Sequence, residues 1–89
     1  MDGPLNARSK EDNSMNAAMD ELDRVLELES WDFLNDNYPP LAIAVQSAIS
    51  KGLSPEQIKR RVVEKLGAHR EPLAHRCELA ARHLQRATA

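Results

Sequence analysis

Residues 39–67, PPLAIAVQSAISKGLSPEQIKRRVVEKLG, decide how this chain folds. They read as two short helices joined by a Gly-Leu-Ser-Pro corner at residues 52–55. Pro39 and Pro40 suit a first helical turn, where the missing N–H leaves no hydrogen bond unmade. Gly52 ends that helix, because glycine adopts the left-handed conformation of a C-terminal cap without steric cost. Ser54, Pro55 and Gln57 then form a capping-box start: the serine oxygen accepts the Gln57 N–H while the Gln57 side chain reaches back. Gly67 closes the second helix of the pair.

The elements on either side follow from apolar spacing. In the first helix of the pair, Leu41, Ala44, Val45, Ala48 and Ile49 make an inward stripe. Ile43 lies off that stripe, so the helix is apolar over most of its circumference and is expected to be central. The second buries Ile58, Val62 and Leu66, with Val63 beside them, and leaves Lys59, Arg60, Glu64 and Lys65 outside. A further helix starts near Pro72 and runs to about Ala87, with Leu73, Cys77, Ala80, Ala81 and Leu84 inward. Its His75, Arg76, Arg82 and Arg86 fall mainly outward. Upstream, a helix from about Ser14 sets Met15, Met19, Leu22, Val25 and Leu26 on one face at spacings of three and four. Asp20, Glu21 and Asp23 lie early in it, where negative charge favours the helix dipole. Ser30 either caps a continuation carrying Trp31, Phe33 and Leu34 or marks a bend. Asn35, Asp36 and Asn37 are turn formers, and the proline after Tyr38 disfavours helical geometry at that tyrosine. Residues 1–13 are polar, contain Gly3 and Pro4 and show no apolar period, which predicts a disordered leader. The expected fold is all-α: a compact bundle of four or five short helices over residues 14–87, forming one domain.

Composition bounds the function. A chain of 89 residues buries only about 60% of its unfolded surface, so a modest core and marginal stability are expected. One Trp, one Tyr and one Phe leave the core to aliphatic residues and alanine, which suits close-packed helices. The single Cys77 excludes an intramolecular disulfide and a cysteine metal cage, and reads as a small apolar residue on an inner face. No signal peptide is visible in the polar first 14 residues, and no run approaches the ~20 apolar residues of a membrane span. A cytoplasmic protein with no membrane partner is expected.

Catalytic chemistry finds little material. His75 and His83 are eight apart, about 12 Å by helical rise, too far to share one metal, and His69 precedes their helix. No metalloprotease motif, phosphate-cradling glycine loop or nucleophile elbow is present, and three glycines leave little for an active-site loop. The reading is no enzyme, no cofactor, no metal and no small-molecule substrate.

Charge is segregated along the chain. Residues 1–38 carry ten acids against three bases, a net of −7, while residues 39–89 carry nine bases against four acids, a net of +5. Such polarity can steer a charged partner. The plainer reading is that the acidic helix packs beside the basic ones and the fields mostly cancel. The three aromatics, Trp31, Phe33 and Tyr38, fall within eight residues. They either plug the mouth of the bundle or anchor a partner, since Trp and Tyr are enriched at interface hot spots.

Two resemblances follow. Ala48-x3-Gly52-x5-Ile58 reproduces the small residue, turn glycine and core aliphatic of DNA-binding helix-turn-helix units, which the chain resembles over about 20 residues. That resemblance implies residues 55–66 as a reading helix, with Lys59, Arg60 and Arg61 toward phosphates or base edges. Lys51 and Arg61 depart from it at positions usually apolar in that family, Gln57 is the only amide side chain available for adenine, and the acidic segment would repel DNA. In architecture and charge the chain also resembles small helical adaptor domains of the death-domain kind, which recruit through oppositely charged faces. The favoured expectation is therefore a protein–protein interaction module binding another protein or itself. It would use an acidic surface over 14–38 (Asp20, Asp23, Glu27), a basic one over 51–86 (Lys59, Arg60, Arg61), and the aromatics Trp31, Phe33 and Tyr38. Helix-turn-helix DNA binding and a small inhibitor or antitoxin are the alternatives.

Overall fold

The computed structural model describes residues 15–88 together with their side chains; the expected leader over 1–13 lies outside the residues so described. Four α-helices and one 3-10 turn follow in order: α1 (Asp2–Asn37), α2 (Pro39–Ser50), α3 (Pro55–Leu66), the turn Ala68–Arg70, and α4 (Glu71–Thr88). The described residues contain no strand, as an all-α bundle requires.

The α2–α3 unit forms as its sequence dictates. Tyr38 is the only residue between α1 and α2; its carbonyl accepts from the Leu41 and Ala42 amides at 2.9 and 3.0 Å, and prolines fill the first turn. At the far end Gly52 takes φ +93°. The Gly52 amide donates to the Ile49 carbonyl and the Leu53 amide to the Ala48 carbonyl, both at 3.0 Å, the paired hydrogen bonds of a Schellman cap. Ser54 accepts from the Gln57 amide at 3.1 Å, and the Gln57 side chain accepts the Ser54 amide at 2.8 Å, completing the capping box.

Helix α1 does not break at Ser30 or at the Asn-Asp-Asn stretch. Asn35 and Asn37 donate their side-chain amides to the carbonyls of Trp31 and Phe33, four residues back, at 2.9 and 3.0 Å. The helix ends only where Pro39 forbids another turn.

Helix α4, not α2, is central. It packs against all three other helices and the 3-10 turn, whereas α2 and α3 barely meet. Its Leu73, Cys77, Ala80, Ala81 and Leu84 supply five of the nine buried side chains of the core cluster, joined by Leu34, Ala42, Val45 and Ile58. The physical reason is the adjacent Ala80 and Ala81, whose small side chains let neighbouring helices approach on two sides. The general apolar character of α2 does not decide the matter, because much of it faces water: Ile43 is 68% exposed. Leu66, expected in the core, is 44% exposed. It lies on the side of α3 turned toward Leu41, away from α4.

Candidate functional site

The first notable surface is on α1. This helix runs antiparallel to α4: Phe33 lies beside Arg76, near the start of α4, and Glu27 beside Arg86, near its end. The face turned to the bundle carries Glu27, Ser30 and Leu34, which are 3%, 4% and 0% exposed. These residues share one line at a spacing of three and four. The apolar stripe lies about 100° further round the helix. Met15, Met19, Leu22, Val25 and Leu26, expected as the inner face, are all 45–63% exposed. Two causes act together. Arg86, close to the last described residue of α4, sits level with Glu27, and Met15 to Leu26 are exposed throughout, with no described helix covering them. Further down, where α4 is present, the contact face is taken by Glu27, Ser30 and Leu34.

The acidic residues divide accordingly. Asp20 and Asp23 are exposed. Glu27 is turned inward, which corrects its assignment to a partner-binding surface. Its carboxylate accepts from Arg86 Nε at 2.6 Å and Nη2 at 3.4 Å, a two-pronged pair. Glu27 raises the pKa of the Arg86 guanidinium through that hydrogen bond and its charge, and Asp20 and Asp23 add to the field.

Trp31 and Phe33 are half-buried and pack against the core, while Tyr38 is more exposed. The Phe33 and Tyr38 rings lie 6.0 Å apart at 44°, and the Arg76 guanidinium stacks 3.9 Å over Phe33. Phe33 and Tyr38 line an open cleft of about 240 Å³ with His69, Arg70, Pro72, Leu73 and Arg76. Trp31 is not part of it.

The basic surface is partly self-paired. Lys59 approaches Glu71 at 4.0 Å, Arg61 bonds Glu64 at 3.2 Å, and Arg82 bonds Glu56 at 2.7 Å and Glu78 at 3.3 Å. Arg60 and Lys65 are exposed and make no ion pair among the described residues. Between α2 and α3 lies a feature that the sequence reading missed. An apolar groove opens there because α2 and α3 each pack on α4 and touch one another little. One part, about 140 Å³, is lined by Ala48, Leu53 and Ile58; the next, about 230 Å³, by Lys65 and Leu66; Leu41, Arg61 and Val62 line both. The only charged groups on its walls are the basic Arg61 and Lys65. Its one sequence signal is the excess of apolar residues on two helices too short to bury them all.

Cys77 is buried, and burial pushes its thiol up to about 11, so it is held as an unreactive neutral thiol. His75 Nδ1 lies 3.4 Å from Glu78 Oε1, and no group of three or more potential metal ligands gathers among the described residues. Among the described residues no helix is long and apolar enough to cross a membrane. Among known proteins no family model matches the chain, and no curated protein or solved structure is significantly similar to it.

Proposed function

We propose that this chain is a non-enzymatic interaction module that docks on proteins through helix-in-groove contacts. The observation that supports this reading is the α1 stripe, five large apolar side chains in a row on an acidic helix, uncovered by the rest of the fold. Contiguous exposed apolar surface rimmed by polar groups marks interaction sites, and an amphipathic helix is a common form of anchor. The basic-walled groove between α2 and α3 is a second docking surface of opposite charge. In this reading Asp20, Asp23, Arg60 and Arg61 steer the encounter, Tyr38 sits at the edge of a separate cleft, and Trp31 and Phe33 belong to the scaffold.

Helix-turn-helix DNA binding has one observation in its favour, the capped corner that joins α2 to α3, with Ile58 buried on α3. Against it, Glu56 and Glu64 share the exposed side of α3 with Arg60 and Arg61, and carboxylates there repel phosphate.

A photo-cross-linking residue at position 22 or 66, in the full chain expressed in its native cells, tests the docking reading. Protein adducts that disappear when Met19→Glu accompanies the position-22 probe are expected. Absence of any protein adduct from both positions would refute it, as would adducts to DNA alone.

A further inference from the structure

Resting on that docking reading, we infer that the occupant of the α2/α3 groove is the α1 stripe of a second copy of this chain. Three properties of the two surfaces match. The first is length. Met15 to Leu26 spans about 17 Å of helix, and α3, which walls the groove from Pro55 to Leu66, spans about 17 Å as well. The second is chemistry: a convex row of Met, Leu and Val side chains faces a concave wall of Leu41, Ala48, Leu53, Val62 and Leu66. The third is charge. On α1 the stripe is flanked by Glu21, Asp23 and Glu29, all exposed, while the groove carries Lys65, which makes no ion pair among the described residues, and Arg61, which also bonds Glu64 at 3.2 Å.

Pairing α1 with α1 of another copy would set these carboxylates against their own kind, whereas the groove offers them cations. Like charges in register disfavour the first arrangement and opposite charges favour the second. The contact is therefore heterologous, stripe into groove, and each copy keeps one free stripe or one free groove after the first pairing. From the helix dimensions it covers roughly 800–1,000 Å² in total, below the range of stable interfaces, so the association is weak. A Kd on the order of 100 μM is expected, weakening further in high salt as the charge attraction is screened.

Sedimentation equilibrium of the full chain from about 10 μM to 1 mM, repeated with single-face variants, decides the matter. Leu22→Glu removes the stripe and leaves the groove; Leu66→Glu removes the groove and leaves the stripe. Both side chains are already about half exposed, so the helical circular dichroism signal is retained, and Lys65→Glu provides a purely surface groove variant. Each variant alone is expected to self-associate at least about 10-fold more weakly than wild type. An equimolar mixture of Leu22→Glu with Leu66→Glu is expected to form a one-to-one complex near the wild-type affinity, because one partner supplies the intact groove and the other the intact stripe. A wild-type chain that stays monomeric at about 1 mM, or a mixture that stays as two monomers, would overturn the inference. In that event, cross-links from position 22 or 66 to a different protein would leave the docking role standing, and their absence from both positions would remove both.

Discussion

Three leucine-to-alanine changes separate the helix phasing described above from the alternative in which the α1 stripe is core. Leu34 is 0% exposed and lies among α1, α2 and α4 side chains; Leu66 is 44% and Leu22 52% exposed. Truncating a fully buried leucine costs about 2–5 kcal/mol, the transfer of the lost methyls plus the cavity they leave. Leu34 falls in the middle of that range, about 3–4 kcal/mol, because the core cluster it belongs to includes Ala42, Ala80 and Ala81, whose short side chains have little reach to fill the space. A domain of this size has a total stability of about 4–11 kcal/mol, so Leu34→Ala removes a large share of it. The melting temperature should fall by roughly 12–30 °C, at about 4–8 °C per kcal/mol. Leu66→Ala should cost less than about 1 kcal/mol, since about half of its surface is already in water. Leu22→Ala should stay within about 0.5 kcal/mol, as surface changes do. Urea denaturation followed by circular dichroism measures all three, at about 5 μM chain so that self-association adds nothing to apparent stability. A Leu22→Ala cost equal to that of Leu34→Ala would refute the phasing, and with it the exposed stripe.

Other changes test other parts of the fold. Gly52 and Gly67 both have positive φ, +93° and +99°, but a Cβ at Gly52 meets nothing within 4 Å while one at Gly67 meets the His69 ring at 3.0 Å. Gly52→Ala should cost about 1 kcal/mol and Gly67→Ala up to about 3 kcal/mol, with His69→Ala restoring part of the latter in urea melts. Arg86→Met should lower the urea midpoint, because it leaves the buried Glu27 carboxylate without its cation, and Glu27→Met in the same chain should recover most of the loss. Equal or worse stability of the double variant would show that the pair is not coupled. The Cys77 thiol is raised from 9.0 to about 11, so its contribution to stability is complete below pH 9 and is lost as pH rises toward 11. The urea midpoint should decline over that window less steeply in Cys77→Ala, and iodoacetamide should label wild type at pH 8 only after denaturant is added.

The parts of the molecule set by local chemistry were legible in the sequence. Pro39, Gly52, Ser54 and Gln57 act through neighbours one to five residues away, so the α2–α3 corner follows from order alone. The inner face of α4 was also legible, since Leu73, Cys77, Ala80, Ala81 and Leu84 have no competing apolar face. Helix α1 was different because it presents two candidate faces. Apolar periodicity favours Met15–Leu26, but burial goes to Glu27, Ser30 and Leu34, and that choice depends on which stretch of α1 meets α4 and on a pair formed 59 residues apart in sequence. No local rule contains that information. The groove was hidden for a related reason: Leu66 and Leu41 satisfy the pattern of core residues, and only the small extent of α2–α3 packing leaves them open. Of the expected partner-binding residues, Glu27 was misread by the same ambiguity, while Asp20, Asp23 and Arg60 are solvent-facing as drawn.

The position of α4 also shapes how the molecule comes apart. Because α1, α2 and α3 are held together mainly through this one helix, they have no shared core that could outlast its departure. Unfolding is then all-or-none, with amides of α2 and α3 exchanging with solvent through the same global opening as those of α4. Among the described residues, the exposed stretch Met15–Leu22 of α1 lies outside that cooperative unit, so its amides are expected to exchange by local fraying, orders of magnitude sooner. A protease that cuts there trims the molecule without melting it, whereas one cut within α4 dissolves the whole structure.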